Sequence, residues 1–246
     1  MTMIREHFEF RETIATILAD EPSHVAAARE GMMDARQELE RYIAGDPFFA
    51  ITYDPYTPVG GGKVVRRMAD AARKAGVGPM AAVAGTIAWS GLEAMIGAGA
   101  RFGVIDNGGD IALATDREIR VGLHAGTSPL SDTLAFVILP TGGIRGICTS
   151  SASVGPSVSL GVADAVTVFS ENVASADAWA TAVCNGLRKD DRSVLGRLVG
   201  SDITAVVAVL GNEMVSWGDP PRLTRARVSP DIITRGRDPS RAHSSR

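Results

Sequence analysis

The chain has 246 residues, of which 45% are hydrophobic and 22% charged, with a formal net charge of −3. This length and apolar content support a substantial core and exclude a disordered protein, while the near balance of charge gives no footing for nucleic-acid binding, which announces itself as a strongly basic domain. Cys148 and Cys184 are too few for a disulfide framework and lack the spacing of a zinc site, so both are expected as reduced thiols.

No apolar run approaches the roughly 20 residues of a membrane helix, and no basic-then-apolar leader opens the chain. A cytoplasmic protein with no membrane partner is expected. Residues 8–16 alternate as a strand that pairs late in the sheet, and Glu21, Pro22, Ser23 and His24 punctuate it. With Ser23 as N-cap, Val25, Ala28, Met32, Ala35, Leu39 and Tyr42 recur at helical spacing and give one apolar face up to Gly45. Asp46 and Pro47 close this helix, residues 48–53 read as extended, residues 55–62 as a loop, and residues 63–75 as a second helix.

Residues 76–88 are almost all small, which fits a close-packed helix and turn and equally a backbone that faces a ligand. The helix continues to Ala98, and residues 103–113 form a strand running into a turn at Gly108 and Gly109. Residues 115–117 are expected to join 111–113 to 119–123 as a hairpin, much as residues 211–213 join 203–210 to 214–217 after a helix over 174–187. Two helix-and-hairpin units are implied, within a single domain over residues 1–221. From Arg222 to Arg246 there are seven arginines and few apolar residues, which predicts a flexible tail.

Several residues are candidates for chemistry. Residues 142–161 are rich in Gly, Ser and Thr, a composition that leaves N–H groups and hydroxyls free for an anion, though such runs are more often plain loops. Asp177 and Thr181, four apart on a helix, present two oxygens on one face to a single hard cation such as Mg²⁺. The alternative is that Asp177 lies in the first turn of its helix and serves only the dipole. His124 lacks a partner at catalytic spacing, and Cys148 lies beside two hydroxyls with no neighbouring histidine to activate it as a nucleophile. Asp106 and Asp110 flank Gly108 and Gly109, where a ligand can approach the backbone closely.

Taken together, these segments resemble the ApbE-like superfamily, and within it the branch called uncharacterised protein family 0280. Residues 40–48 and 76–85 look like that branch's signature, and residues 106–110, 146–151, 163–168 and 176–182 like motifs shared more widely. The resemblance implies an α+β sandwich with a mainly antiparallel sheet and an internal helix-hairpin duplication. It also implies a Mg²⁺-dependent site for a nucleotide or other phosphorylated small molecule, FAD among them, in a transferase that moves FMN from FAD to a protein substrate. The metal would be held by Asp177, Thr181 and the carbonyl of Ala82. The cofactor would be held by Ala84, Gly85, Asn107, Gly108, Gly109, Asp110, Thr149, Ser150, Ser151 and Ser157, with no catalytic residue singled out. Three positions depart from the family: Gly85 stands for a lysine, Ile87 for an aromatic, and Pro156 for a histidine kept by much of the branch. The alternative is therefore a binding or accessory protein without transferase activity, for example in sulfur assimilation into homocysteine. A homodimer is a further expectation.

Overall fold

The computed structural model describes residues 3–151 and 162–227. Strands β1 (Ile4–Phe10) and β2 (Thr13–Ala19) form a hairpin whose turn carries Arg11 at a φ of 55°. What sequence periodicity reads as one late-pairing strand is thus two strands paired from the start. Three helices follow. They are α1 (Pro22–Gly45), the four-residue α2 (Phe48–Ile51) and α3 (Lys63–Ala75). The N-cap of α1 is Glu21 rather than Ser23, with Pro22 at the first helical position, where its missing N–H costs nothing. α2 replaces the expected extended segment. Its Phe49 is fully buried and meets the rings of Tyr42 and Tyr56 edge-on, a tertiary anchor that overrides the local preference of two aromatics and a β-branched residue.

A 3₁₀ turn (Pro79–Ala82) runs into α4 (Val83–Gly97), and β3 (Gly103–Asn107) and β4 (Asp110–Ala114) close a tight hairpin. Together Pro79–Gly97 spans 19 residues at a mean hydropathy of 1.3, long and apolar enough to cross a membrane, contrary to the sequence expectation. Here it is a central packing helix: Ile87, Ala88, Leu92 and Met95 are buried, and it contacts α1, β3 and β4. A helix apolar around most of its circumference fits such a position.

β5 (Ile119–Gly122) does not return to β4. It pairs with β6 (Leu134–Ile138), which in turn pairs with β11 (Leu223–Arg225), and these three make a separate small sheet. The neighbour of β4 is β7 (Arg145–Ser150), followed by β8 (Ala165–Ser170), helix α5 (Val173–Gly186), β9 (Ile203–Leu210) and β10 (Glu213–Gly218). The large sheet is antiparallel throughout the described residues, in the order β1-β2-β3-β4-β7-β8-β9-β10. Each half is a hairpin, a helical insertion and a hairpin, and the halves meet where β4 pairs with β7. The expected helix-and-hairpin halves are present in this larger form, without the hairpin proposed around residue 116. The tail reading from Arg222 fails over its first residues, because β11 pairs with β6; residues 228–246 lie outside the described residues.

Alternation along the strands sorts the core into two layers. On β9, Val206 and Ala208 face the helices while Ala205, Val207 and Val209 face the small sheet, and both faces are buried. The result is a three-layer stack of helices, large sheet and small sheet, which supplies the α+β sandwich with a mainly antiparallel sheet.

Candidate functional site

The site forms where the β3–β4 turn, the start of α4, the middle of α5 and strand β7 converge on the helical face of the large sheet. Gly108 and Gly109 turn the hairpin at φ values of 69° and 103°, which side-chain-bearing residues rarely adopt. Asp106 fixes the turn by accepting the N–H of Gly109 at 2.8 Å, and Thr149 donates its N–H to the Gly109 carbonyl at 3.1 Å. The buried Asn107 reaches out of the turn and donates its Nδ2 to the Ala84 carbonyl at 3.0 Å, tying hairpin to helix.

Helix α5 arrives through two glycines. A Cβ on Gly146 would lie 2.8 Å from Cα of Val173, and one on Gly85 would lie 2.9 Å from Cβ of Asp177 and 3.1 Å from the Val173 carbonyl. This close approach lets Asp177, only 7% exposed, accept the N–H of Gly85 at 2.8 Å through Oδ2. The N–H of Ala84 also bonds to the same carboxylate. These are the second and third residues of α4, whose own N-cap, Ala82, offers no side chain. Asp177 thus closes the positive end of α4 from another helix. It does not lie in the first turn of its own helix, which starts at Val173 and is capped by Asn172 on the N–H of Ser175 at 3.0 Å.

Beside it stands Asp110, which faces Cys148 as a direct cross-strand pair of β4 and β7. Burial pushes Asp110 well above the usual carboxylate range, and the charges of Asp177 and Asp106 push it further. Burial raises Asp177 to about 7 despite the two N–H groups that favour its ionised form. The Cys148 thiol is pushed well up by burial and by the same two aspartates, and lies 3.7 Å from the Val173 carbonyl. A neutral, enclosed thiol is a poor nucleophile, which answers the sequence question about Cys148. Among the described residues, Asp110 and Asp177 form no ion pair with Lys, Arg or His, and no group of three or more Asp, Glu, His or Cys side chains is arranged to hold a metal.

Of the residues expected here, Ala84, Gly85, Asn107, Gly108, Gly109, Asp110 and Asp177 come together. Thr149 contributes its N–H, but its hydroxyl pairs with Thr167 at 2.9 Å, and strand alternation puts that pair on the small-sheet face. Ser150 is buried at the end of β7, Ser151 follows it, and Ser157 and Pro156 lie outside the described residues. Ala82 is fully buried at the N-cap of α4, where its carbonyl serves the first helical turn. Thr181 is half-buried one turn after Asp177 on the same helix. His124 has a carboxylate partner after all, Asp132 at 3.0 Å, eight residues on in the loop between β5 and β6. Sequence reading names both Asp110 and Asp177 but not as a pair, because they are 67 residues apart, counting from their numbers.

A family model described as "AbpE bacteria" matches residues 2–227. Among relatives, the UPF0280 protein of Methanoculleus marisnigri is 60% identical over 236 residues, covering 96% of this chain and 97% of its own length. That of Methanosphaerula palustris is 57% identical, covering 95% of this chain and 99% of its own length. In structure, the chain is similar to the apo form of the flavinyl transferase ApbE from Pseudomonas stutzeri, with a TM-score of 0.58 and 12% identity over 96% of this chain and 98% of the other. It is also similar to the apbe protein of Thermotoga maritima, with a TM-score of 0.57 and 12% identity over 96% of this chain and all of the other. At such identity the two structures bear on the fold alone.

Proposed function

The chain belongs to the AbpE-bacteria family and is an ApbE-like UPF0280 protein, and on that premise we propose that it binds Mg²⁺ together with a nucleotide or another phosphorylated small molecule between α4, α5 and the β3–β4 turn. The observation that carries this reading is the pairing of the buried Asp177 with the partly buried Asp110, which has no counter-cation among the described residues. A hard divalent cation would supply the missing charge, and oxygen-only ligation with room for water and phosphate oxygens suits magnesium. The donor types suit such an ion: Asp177, oriented by the N–H groups of Gly85 and Ala84, supplies a carboxylate, and Thr181 offers a neutral hydroxyl one turn on. When bound, the metal would neutralise charge on a phosphate. Asn107 keeps the start of α4 against the turn, and Gly108 and Gly109 leave the backbone open to a ligand.

Transfer of FMN from FAD is the narrower form of this proposal, in keeping with the named activity of the Pseudomonas stutzeri structure. The chain's own residues argue against a ring contact on α4. Gly85 has no side chain and is covered by Asp177, and Ile87 is 1% exposed and belongs to the core. That burial favours the second reading, a protein that binds a phosphorylated ligand without transferring a flavin.

Titration calorimetry with Mg²⁺, alone and with FAD or ADP, tests the proposal. Wild type should bind the ion, Asp177→Asn should lose most of the affinity, and Thr181→Val should lose less, because a neutral hydroxyl contributes less than a charge. A wild-type protein that takes up no magnesium even with a nucleotide present sinks the metal assignment. Binding with ADP but not FAD would select the second reading.

A further inference from the structure

Among the described residues, the surface carries an apolar strip that neither the fold nor the candidate site uses. Of the large hydrophobic side chains left exposed, Phe48 (53%), Ile51 (68%), Tyr53 (78%) and Val59 (90%) fall within twelve residues of sequence. Phe48 and Ile51 are three apart on α2, on the face opposite the buried Phe49. The short helix is therefore apolar on both sides, though only one side packs inward.

The backbone of this strip is tied to the fold at several points. Tyr42 and Tyr56 both donate their hydroxyls to Oδ2 of Asp46, each at 3.0 Å, and the ring of Tyr56 meets those of Phe48 and Phe49 at 5.5 and 6.2 Å. The Thr52 carbonyl is wedged so close to Gly78 that a Cβ there would lie 2.0 Å away, which pins the segment to the 3₁₀ turn Pro79–Ala82. It is also almost free of charge: between residues 47 and 62 the only ionisable acid or base is Asp54, apart from the tyrosines. Aromatic and branched side chains with little charge, carried on a backbone held in place, have the composition of an interface core.

We infer that residues 48–59 dock a second copy of this chain. Side chains of this size expose on the order of 500 Å² together, so two strips face to face bury roughly 1,000 Å², the lower bound for a specific interface. A two-fold contact sets the same patch against itself, and a patch with a single carboxylate per copy can do this without a field of like charges. Because the strip rests on the turn that leads into Ala82 and Gly85, the second copy would sit on the flank of the candidate site. The inference does not depend on the metal reading.

Sedimentation velocity from low to high micromolar concentration tests it, with no ligand needed. Wild type should sediment as a dimer at the upper end and dissociate on dilution. Ile51→Asp with Tyr53→Asp should stay monomeric at every concentration while keeping the wild-type circular dichroism and melting temperature, and Met214→Asp on β10 should dimerise like wild type. Should the double variant misfold, Val59→Asp in the loop serves instead, since its side chain is 90% exposed. A wild-type protein that is monomeric throughout overturns the inference, whether the strip takes another protein or nothing. So does a folded Ile51→Asp, Tyr53→Asp variant that still dimerises.

Discussion

Helices α3 and α4 begin in the same way, and only one of the two beginnings looks like a site. Neither has a capping side chain of its own, and each is closed by a carboxylate from a different helix. Glu38 of α1 accepts the N–H groups of Val64 and Val65 at 2.8 and 3.4 Å; Asp177 of α5 accepts that of Gly85 at 2.8 Å and also bonds that of Ala84. Each contact includes a glycine, Gly62 against the Glu38 carboxylate and Gly85 against Asp177. The first cap lies on a half-exposed flank, whereas the second is enclosed and has another carboxylate, Asp110, for company. A remote cap is thus a structural device that becomes chemically interesting when it is buried beside a like charge. The hydrogen bonds alone do not distinguish the two.

The largest expected effect follows from that difference. The folded-state pKa of Asp177, about 7, lies above the roughly 3.9 of an unfolded aspartate, so the folded chain holds this proton more tightly. Its stability contribution is therefore fully present below about pH 4 and is lost as pH rises towards 7. The ceiling of that loss is about 4 kcal/mol for three pH units. Asp177→Asn keeps an oxygen for the Gly85 N–H and cannot ionise. Urea unfolding at pH 5 and pH 8 should show wild type losing about 2–3 kcal/mol more than the variant between the two conditions. Equal slopes would mean that the cap at α4 is as ordinary as the one at α3. Under the proposed function, Mg²⁺ at pH 8 should restore stability to wild type and not to Asp177→Asn.

The glycines sharpen the comparison at a smaller scale. Gly85→Ala sets a methyl group against the Val173 carbonyl and the Cβ of Asp177, neither of which can swing away, so α4 and α5 must part. A cost of about 1–3 kcal/mol is expected. Gly62→Ala meets only the end of the Glu38 side chain, with the carboxyl carbon 2.4 Å from the new Cβ, and that end can move. Losing the cap should then cost about 1 kcal/mol. Denaturant midpoints for both variants measure the difference, and a Gly62→Ala loss equal to or larger than that of Gly85→Ala would contradict this account of the packing.

Much of this was legible in the sequence, and the gaps share a cause. Helices α1 and α3 and the hairpins at Gly108 and Gly211 follow from local periodicity and turn residues, and the branch's motifs placed Asp177 and the Asp106–Asp110 turn. Pairing between β4 and β7 carries no local signal, because it depends on β5 leaving for the small sheet with β6 and β11. Thr149 was expected to offer a hydroxyl, but which face it takes is set by register with Thr167, 18 residues on. The partner of Asp177 is 92 residues away at Gly85. The small side chain at Gly85, which in the sequence looks like a lost ligand contact, is what admits the carboxylate.

The smallest expected effect belongs to Glu38→Gln, and it isolates what a remote cap contributes when nothing else depends on it. Glutamine retains a carbonyl oxygen at the same reach, so the N–H groups of Val64 and Val65 keep an acceptor. What disappears is the net charge at the positive end of α3, and on a half-exposed flank that is screened by water and salt, a loss of about 0.3–1 kcal/mol. The loss should shrink as salt is raised. No counterpart of the Mg²⁺ response should appear, since Glu38 has no second carboxylate among its described partners. Thermal melts of wild type and Glu38→Gln at low and high ionic strength, with and without Mg²⁺, measure all three quantities. A magnesium-dependent difference between these two proteins would place a cation at the α3 cap as well, and the contrast between the two helix starts would collapse.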